Sequence, residues 1–340
     1  MAARQFGELS NMTLVTVFGG SGGIGRQVVK LLAHRGDQVR VAVRNPQAAQ
    51  FLKPMGDVGQ ITPVQANVRN AESVRSAIAG ADSVINLVGI LYEGGAQRFE
   101  AVQAQGAALI AQAAAEAGVK TLAHVSAIGA SATSPSAYAR SKAAGEDAIR
   151  EAFPAGRIFR PSVVFGPHDD FFNRFAAMAQ LPLPLPVFGC GLPRLTADGI
   201  KIYGDGGTKF QPVYVGDVAD AILAALADPA SEGKLYELGG PTVYSFCDLM
   251  RLVLQATRRW RPLVPVPFEA ASVLAFFAEF LPKPPLTRDQ VKLLKIDNIV
   301  SGDHPTLSDL GINPTAAELI LPQMLEPYRR GGRYAATQTT

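Results

Sequence analysis

The stretch Leu14-Val-Thr-Val-Phe-Gly-Gly-Ser-Gly-Gly-Ile-Gly-Arg26 decides the fold of this chain. A β-rich apolar run over 14–18 leads into a glycine-rich loop, and a helical pattern follows over 24–34. In such a unit the glycines allow a tight turn, close approach of a pyrophosphate and close packing of helix on strand. The first N–H groups of the helix and the positive end of its dipole face the phosphates. The loop residues predicted to bind a dinucleotide are Gly19, Gly20, Ser21, Gly22, Gly23, Ile24, Gly25 and Arg26.

Outward from this unit, β-rich runs alternate with helical stretches. The predicted strands cover 14–18, 39–43, 61–66, 84–88, 121–125 and 157–159, and the predicted helices cover 24–34, 71–78, 99–117 and 138–153. Alternation at this spacing indicates βαβ units, a parallel sheet with helices on both faces and right-handed crossovers. We therefore predict an α/β fold with a Rossmann-type doubly wound parallel sheet.

Composition narrows the class of protein further. The chain has 340 residues, 48% hydrophobic and 18% charged, which excludes disorder and a coiled coil, and its length predicts about two domains. Two cysteines and four histidines exclude a disulfide scaffold and a zinc cluster, so we predict no metal site. The net charge of +3 is too small to indicate nucleic acid binding, and no apolar run is long enough to span a bilayer. The first 13 residues carry no secretory signal and leave little room for an organelle presequence.

The end of the second predicted strand bears on which nucleotide binds. An NAD-specific site would place Asp or Glu there to accept a bond from the ribose 2′-hydroxyl. This chain has Arg44 instead, and a guanidinium can donate two charge-assisted bonds to a 2′-phosphate. Arg26, just after the loop, can add to this. The alternative is that Arg44 is an ordinary solvated arginine, but the position favours NADPH over NADH.

The loop spacing, together with Tyr138-Ala-Arg-Ser-Lys142, resembles the extended and atypical short-chain dehydrogenase/reductase superfamily over about 12–240. The segment 211–218, Gln-Pro-Val-Tyr-Val-Gly-Asp-Val, is similar to one that lies near the substrate in that family. The resemblance implies adenine contacts from the residues after the third strand, and nicotinamide-side contacts from the residues after the fourth and sixth strands. These residues are Asn67, Val68, Leu87, Val88, Gly89, Pro161, Ser162 and Val163.

The resemblance also implies an active-site geometry. Tyr138 and Lys142 lie four positions apart on a predicted helix and so share one face. In active members this tyrosine is the general acid/base, and the lysine lowers its pKa and holds the nicotinamide ribose. A Ser or Thr hydroxyl after the fifth strand orients the substrate carbonyl. Here the segment reads His124-Val-Ser-Ala-Ile-Gly129: Ser126 is the candidate, but the position that often carries the working hydroxyl is Ile128.

Beyond residue 165 the alternation becomes irregular, and the resemblance implies a smaller mixed domain of the substrate-binding type. We predict an NADP(H)-binding domain over 12–165 with later segments returning to it, a C-terminal domain over 166–330 and a flexible tail over 331–340. An apolar stretch over 268–281 follows a basic cluster around the single tryptophan, Arg258-Arg-Trp-Arg261. This pairing suits a membrane surface over 258–281, or alternatively a core helix beside a solvated basic cap.

The tail is similar to a narrower family, the NADPH-binding accessory subunits of respiratory complex I. The segments are Pro285-Leu-Thr-Arg-Asp-Gln-Val-Lys-Leu-Leu-Lys-Ile-Asp-Asn298, Leu310-Gly-Ile-Asn-Pro-Thr315 and Phe165-Gly-Pro-His-Asp-Asp-Phe-Phe-Asn173. The resemblance implies a non-catalytic structural or assembly subunit that holds NADPH on the peripheral arm near the membrane. Its place would be the cytoplasmic face of a bacterial inner membrane, or the matrix side in mitochondria.

Two alternatives remain from the sequence. One is a free NADP-dependent oxidoreductase or sugar-nucleotide epimerase/dehydratase, with Tyr138 as base, Lys142 as its partner and Ser126 orienting the substrate. The other is an NADPH-sensing binding protein unrelated to the respiratory chain, which would share the glycine loop but would not associate with respiratory subunits.

Overall fold

The computed structural model describes residues 13–190, 194–196 and 199–332. The strands are β1 Leu14–Phe18, β2 Gln38–Val43, β3 Ile61–Gln65, β4 Ser83–Asn86, β5 Thr121–Val125, β6 Arg157–Pro161, β7 Val164–Phe165, β8 Leu185–Phe188, β9 Arg194–Thr196, β10 Gly199–Lys201, β11 Lys209–Phe210, β12 Val213–Tyr214, β13 Leu235–Leu238, β14 Tyr244–Ser245 and β15 Leu263–Val266. The helices are α1 Gly23–Arg35, α2 Ala71–Ile78, α3 Gln105–Glu116, α4 Ala137–Ala152, α5 Phe172–Gln180, α6 Val215–Ala227, α7 Phe246–Thr257, α8 Phe268–Ala278, α9 Arg288–Leu293 and α10 Ala317–Met324. Among the described residues, no helix is long and apolar enough to cross a bilayer.

Seven strands form one sheet in the order β13-β6-β5-β4-β1-β2-β3, and every neighbouring pair is parallel. The order reverses direction between β1 and β4, which places a crevice at the carboxyl ends of these two strands. The predicted Rossmann-type doubly wound sheet is confirmed.

Helices cover both faces of the sheet, as expected for parallel strands that are apolar on both sides. On one face α1 and α6 pack on the sheet through side chains such as Val28, Leu32 and Ile222, all 0% exposed. On the other face α2 and α3 contribute Ile78 and Ile110, also 0% exposed. Strand β13 and helix α6 come from beyond residue 165, so later segments do return to the first sheet.

The remainder of the C-terminal half has a separate apolar core. Its centre is a cluster of aromatic rings from α5, α7 and the neighbouring strands, with centroids 5.1–6.0 Å apart among Phe171, Phe175, Phe210 and Phe246. Short strand pairs surround this cluster, including the parallel pair of β8 with β15. This is the smaller mixed region expected beside the parallel sheet.

Several predicted elements end one or two residues away from the observed bounds, and two differences have a local cause. The predicted helix over 99–117 opens with a π turn, Glu100–Ala104, before α3 begins. The predicted strand over 84–88 ends at Asn86, because the Asn86 side chain accepts a hydrogen bond from the Val88 N–H (3.1 Å) and turns the chain out of the sheet. Most of the predicted tail over 331–340 lies outside the described residues.

The apolar stretch over 268–281 is not a core helix. Only Ala271 and Ala275 of α8 are fully buried, whereas Phe277 is 65% exposed and Phe280, just after the helix, is 76% exposed. The core alternative is therefore wrong: Ala271, Ala275 and the half-buried Phe268 face the aromatic core, whereas the other large side chains of this stretch lie at the surface.

Candidate functional site

The glycine loop brings α1 against the end of β1. Gly19 has φ +77°, a left-handed conformation that favours glycine, and its carbonyl accepts a bond from the Gly22 N–H (3.0 Å). A Cβ on Gly25 would lie 2.5 Å from the Gly19 oxygen and from the Gly20 Cα, so only glycine fits there. The first N–H groups of α1 have no acceptor within the helix and lie at the crevice.

Arg26 is held beside this loop by two contacts. Its Nε donates to the Ser21 carbonyl (3.1 Å), and its guanidinium lies 4.2 Å from the centroid of the Phe51 ring. Phe51 belongs to a 3-10 helix, Gln47–Met55, which follows β2. These contacts hold the Arg26 guanidinium against the segment that follows β2. Arg44 is the first residue of that segment.

A cleft of about 550 Å³ lies at the carboxyl ends of β2 and β3. Arg44 is exposed at its border, and Asn67 is half-buried within it. The other lining residues are Gln65, Ala66, Asn70, Glu72, Ser73 and Ser76. Val68 is absent from this lining, because its side chain packs into the core near Gly106 on α3. Arg44 and Asn67 therefore line one cleft, whereas Arg26 lies beside the glycine loop and the Val68 side chain packs on the core.

The loop after β4 lies between the glycine loop and α4. A Cβ on Gly19 would lie 3.1 Å from the carbonyl of Leu87 and 3.2 Å from the Val88 nitrogen, so the two backbones are in contact. Gly89 lies against Lys142, whose Nζ would be 3.3 Å from a Cβ at that position. The structure thus brings Leu87, Val88 and Gly89 to the same crevice as the glycine loop.

Tyr138 and Lys142 occupy the first turns of α4 and face the same crevice. The Lys142 Nζ donates to the Val125 carbonyl (3.1 Å) and lies 6.0 Å from the centroid of the Tyr138 ring. Burial lowers the pKa of Lys142 to about 8, although Glu146 opposes this shift, and burial raises the pKa of Tyr138 to about 12. In the protein alone, the Tyr138 hydroxyl is therefore held in its protonated form.

The hydroxyl candidate Ser126 lies at the end of β5, close to the Lys142 contact. Its Oγ is buried and has no hydrogen-bond partner among the described residues. Ile128, at the position where active relatives often carry the working hydroxyl, is 8% exposed. The crevice therefore offers one unpaired buried hydroxyl and one apolar side chain.

Pro161 is the last residue of β6, and Ser162 and Val163 follow it but are bonded to the C-terminal segment. The Ser162 Oγ donates to the Asn298 Oδ1 (2.6 Å), and the Val163 N–H donates to the same oxygen (3.0 Å). Asn298 also joins β11, since its own N–H donates to the Lys209 carbonyl (2.8 Å). Asn298 was part of a motif singled out in the sequence, but nothing local to it indicated these contacts.

Sequence reasoning missed two further residues of the crevice. The backbone of His168 lies beside Gly23, 3.6 Å from a Cβ at that position, and burial and Arg26 lower the pKa of His168. His124 on β5 is 1% exposed, and its Nδ1 is 3.0 Å from the Asn86 Nδ2. The His124 Nε2 has no partner among the described residues.

The sheet order, the glycine loop and the Tyr138–Lys142 pair define an NAD(P)-binding protein of the short-chain dehydrogenase/reductase class. Residues 19–160 match a family described as NAD(P)H-binding. The fold is similar to that of Thermus thermophilus UDP-glucose 4-epimerase in complex with NAD (TM-score 0.68, 21% identity, 93% of this chain and 99% of that one). It is also similar to an Escherichia coli NADPH-dependent quinone oxidoreductase complexed with NADPH (TM-score 0.66, 20% identity, 92% and 98%).

Whole-length relatives narrow the class to one family. The chain is 36% identical over 331 residues to the mitochondrial NADH dehydrogenase [ubiquinone] 1 alpha subcomplex subunit 9 of Arabidopsis thaliana, covering 94% of this chain and 79% of that protein. The subunit of the same name from Mus musculus is 36% identical over 318 residues (93% and 80%). A ceramide reductase of Caulobacter vibrioides is 33% identical over 175 residues, 51% of this chain and 53% of that protein. The chain belongs to the family of NADH dehydrogenase alpha subcomplex subunit 9.

Burial of His124 makes stability depend on pH. Burial, and to a lesser extent Lys142, lowers the pKa of His124 from 6.5 to about 3. Below pH 6.5 the unfolded chain binds a proton that the folded chain does not, so stability falls as the pH drops. We expect His124→Gln to flatten this fall by up to about 1.4 kcal/mol per pH unit.

Urea denaturation between pH 4.5 and 7 measures this difference. The control is His34→Gln, which changes an exposed histidine on α1 and should leave the pH profile as in the wild type. Parallel profiles for His124→Gln and the wild type would show that His124 does not titrate differently in the folded state.

Proposed function

We propose that this chain is an NADPH-holding structural or assembly subunit associated with respiratory complex I. The observation that carries the proposal is similarity along 94% of the chain to a subunit named for NADH dehydrogenase [ubiquinone]. The partners would be subunits of the peripheral arm near its junction with the membrane. In the cell, the protein would lie on the cytoplasmic face of a bacterial inner membrane, or on the matrix side in a mitochondrion.

The crevice supports binding of a dinucleotide. Helix α1 packs tightly on the glycine loop, since a Cβ at Gly25 would overlap the loop backbone at 2.5 Å, and the first N–H groups of α1 lie at the crevice. Ser126 offers a buried hydroxyl that lacks a partner among the described residues, and Lys142 offers an ammonium beside it. When bound, the nicotinamide could accept or donate a hydride. In a structural role, its binding stabilises the folded chain by about 2.7 kcal/mol at a hundred times the Kd.

The arginines support NADPH over NADH. Arg44 is exposed at the border of the adenine-side cleft, and the Phe51 ring orients Arg26 beside the glycine loop. A 2′-phosphate on the adenosine ribose would bring a double negative charge to this region, where guanidinium groups can form bidentate bonds. In this proposal the nucleotide is held by the domain that contains the seven-stranded sheet.

The apolar side chain of Ile128 supports a structural role over catalysis, because it provides no hydroxyl to orient a carbonyl. In the protein alone, burial also raises the pKa of Tyr138 to about 12. The alternative is a free NADP-dependent oxidoreductase or sugar-nucleotide epimerase/dehydratase. The observation that favours it is the shared crevice of Tyr138, Lys142 and Ser126.

The surface over 258–281 supports a peripheral membrane contact. Trp260 is 80% exposed beside basic residues, and α8 with the turn after it exposes Val273, Leu274, Phe276, Phe277, Phe280 and Leu281. Phe276 packs edge-on against both Phe277 and Phe280, with ring centroids 5.4 and 5.6 Å away. Aromatic and aliphatic side chains next to arginines suit the boundary between lipid headgroups and acyl chains.

The role of Arg44 is tested by reversing its charge. We expect Arg44→Asp to weaken NADPH binding by roughly 10–100-fold, because it removes charge-assisted bonds worth about 1.5–3 kcal/mol, and to weaken NADH binding far less. Titration calorimetry with both nucleotides measures this. Arg251→Asp, an exposed arginine on α7, is the matched control. Equal NADPH affinity in the Arg44 variant and the wild type would rule out a contact to the 2′-phosphate.

The structural role is tested in cells whose own copy is replaced by a variant. We expect Tyr138→Phe to leave the amount of assembled complex I unchanged, because a structural nucleotide needs no proton transfer. Gly25→Val should lower the amount of assembled complex, since the valine side chain would overlap the glycine loop and displace α1. Native gels of solubilised membranes, with identification of the chains that co-purify, measure both. If Tyr138→Phe abolishes the protein's function while its fold is intact, the enzyme alternative is correct.

The membrane contact is tested with vesicles. We expect Phe277→Ser with Phe280→Ser to weaken sedimentation with phosphatidylglycerol/phosphatidylethanolamine vesicles by at least 10-fold, because each buried Phe contributes roughly 1.5–3 kcal/mol. Val58→Ser with Leu319→Ser removes two exposed apolar side chains elsewhere, at 107% and 72% exposure, and is the control. Equal sedimentation of both variants would exclude this surface as the lipid contact.

A further inference from the structure

Helix α9 lies across the start of α4, although about 150 residues separate them in the chain. The Asp289 carboxylate accepts hydrogen bonds from the Ser136 hydroxyl (2.7 Å), the Ala137 N–H (2.8 Å) and the Tyr138 N–H (3.1 Å). The first N–H groups of a helix have no acceptor within it, and a carboxylate there also interacts favourably with the dipole. Asp289 therefore fixes the turn of α4 that carries Tyr138.

Neighbours of Asp289 attach α9 to both loops that border the nicotinamide side. The Gln290 Nε2 donates to the Leu91 carbonyl (3.3 Å) in the loop after β4, and the Lys292 Nζ donates to the Pro135 carbonyl (3.3 Å) in the loop after β5. Thr287 and Gln290 form a capping box, so α9 begins at a defined residue. Helix α9 thus bridges the carboxyl ends of two central strands, where ligands of doubly wound sheets bind.

The preceding residue ties α9 to α8. The Arg288 N–H and Nε donate to the Glu279 carboxylate (2.7 and 2.9 Å), and the Arg288 guanidinium lies 5.2 Å from the centroid of the Phe276 ring. These contacts connect the first residue of α9 to the end of α8. Helix α9 is therefore bonded both to the end of α8 and to the start of α4.

We propose that α9 is a strap that closes the nicotinamide side of the crevice, and that Asp289 is a positioning residue for the bound nucleotide. The proposal rests on the proposed NADPH binding and deepens it. Asp289 holds the first turn of α4, from which Tyr138 and Lys142 reach the crevice, and α9 covers the opening between the loops after β4 and β5. The strap slows release of the nucleotide and shields the nicotinamide from solvent.

The experiment uses the full-length protein loaded with NADPH. We expect Asp289→Asn to raise the NADPH dissociation rate at least 5-fold, and to raise quenching of bound NADPH fluorescence by acrylamide several-fold. Asp297→Asn is the matched control, because that carboxylate accepts from the Lys209 N–H (2.8 Å) in the same C-terminal segment without touching α4. If Asp289 contributes only to stability, the Asp289→Asn variant will have a lower melting temperature, but its bound nicotinamide will be no more accessible to acrylamide than in the wild type.

Hydrogen exchange on the wild type gives a readout that needs no variant. We expect NADPH to slow exchange of the amides of α9 and of Ala137 and Tyr138. Wild-type protein that does not bind NADPH would overturn the proposed function. Wild-type protein that binds NADPH, with unchanged exchange in α9 and with release and quenching in Asp289→Asn equal to those of Asp297→Asn, would overturn the strap alone.

Discussion

The close approach of two backbones at Gly25 is the constraint on which the rest of the structure depends. A side chain there would overlap the Gly19 carbonyl and the Gly20 Cα at 2.5 Å, so α1 can start at the edge of the sheet only because none is present. Once α1 starts there, its free N–H groups face the crevice between β1 and β4, and the loop after β4 packs against Gly19. The cleft after β2 and β3 and the crevice beside α4 both lie at this edge of the sheet.

Two carboxylates hold helix α4 in place at the crevice. Glu146 accepts two bonds from Arg160 (both 2.7 Å), which anchors the middle of α4 to β6, and Asp289 anchors its first turn. Between these anchors, burial pushes the pKa of Tyr138 up and that of Lys142 down, so both shifts favour the neutral side chains. A cationic nicotinamide or an anionic phosphate nearby would be needed to reverse either shift. The protein alone thus holds Tyr138 and Lys142 in one crevice, with the pKa of each shifted by burial.

Short sequence patterns predicted the individual strands and helices of this molecule. The bounds of β1, β5 and α2 agree with the sequence prediction, because each is a short unit bounded by glycine, asparagine or charged residues. The π turn before α3 was not predictable, since a single wider turn hardly alters the spacing of apolar residues. Val68 follows β3 as expected, but whether its side chain meets a ligand or the core depends on α3. The bonds of Asp289 and Asn298 to the crevice join residues more than 130 positions apart, and no periodicity records such a contact.

The return of β13 to the first sheet affects how the chain is made. Strand β6 has β5 on one side and β13 on the other, and α6 packs beside α1 on the same face of the sheet. In a nascent chain that ends near residue 165, the edge of β6 has no partner strand, and α1 lacks the helix that packs beside it. The ribosome must reach Leu238 before the sheet is complete, which takes several seconds at roughly 5–20 residues per second. During that interval the unpaired edge of β6 is a template for pairing with other chains.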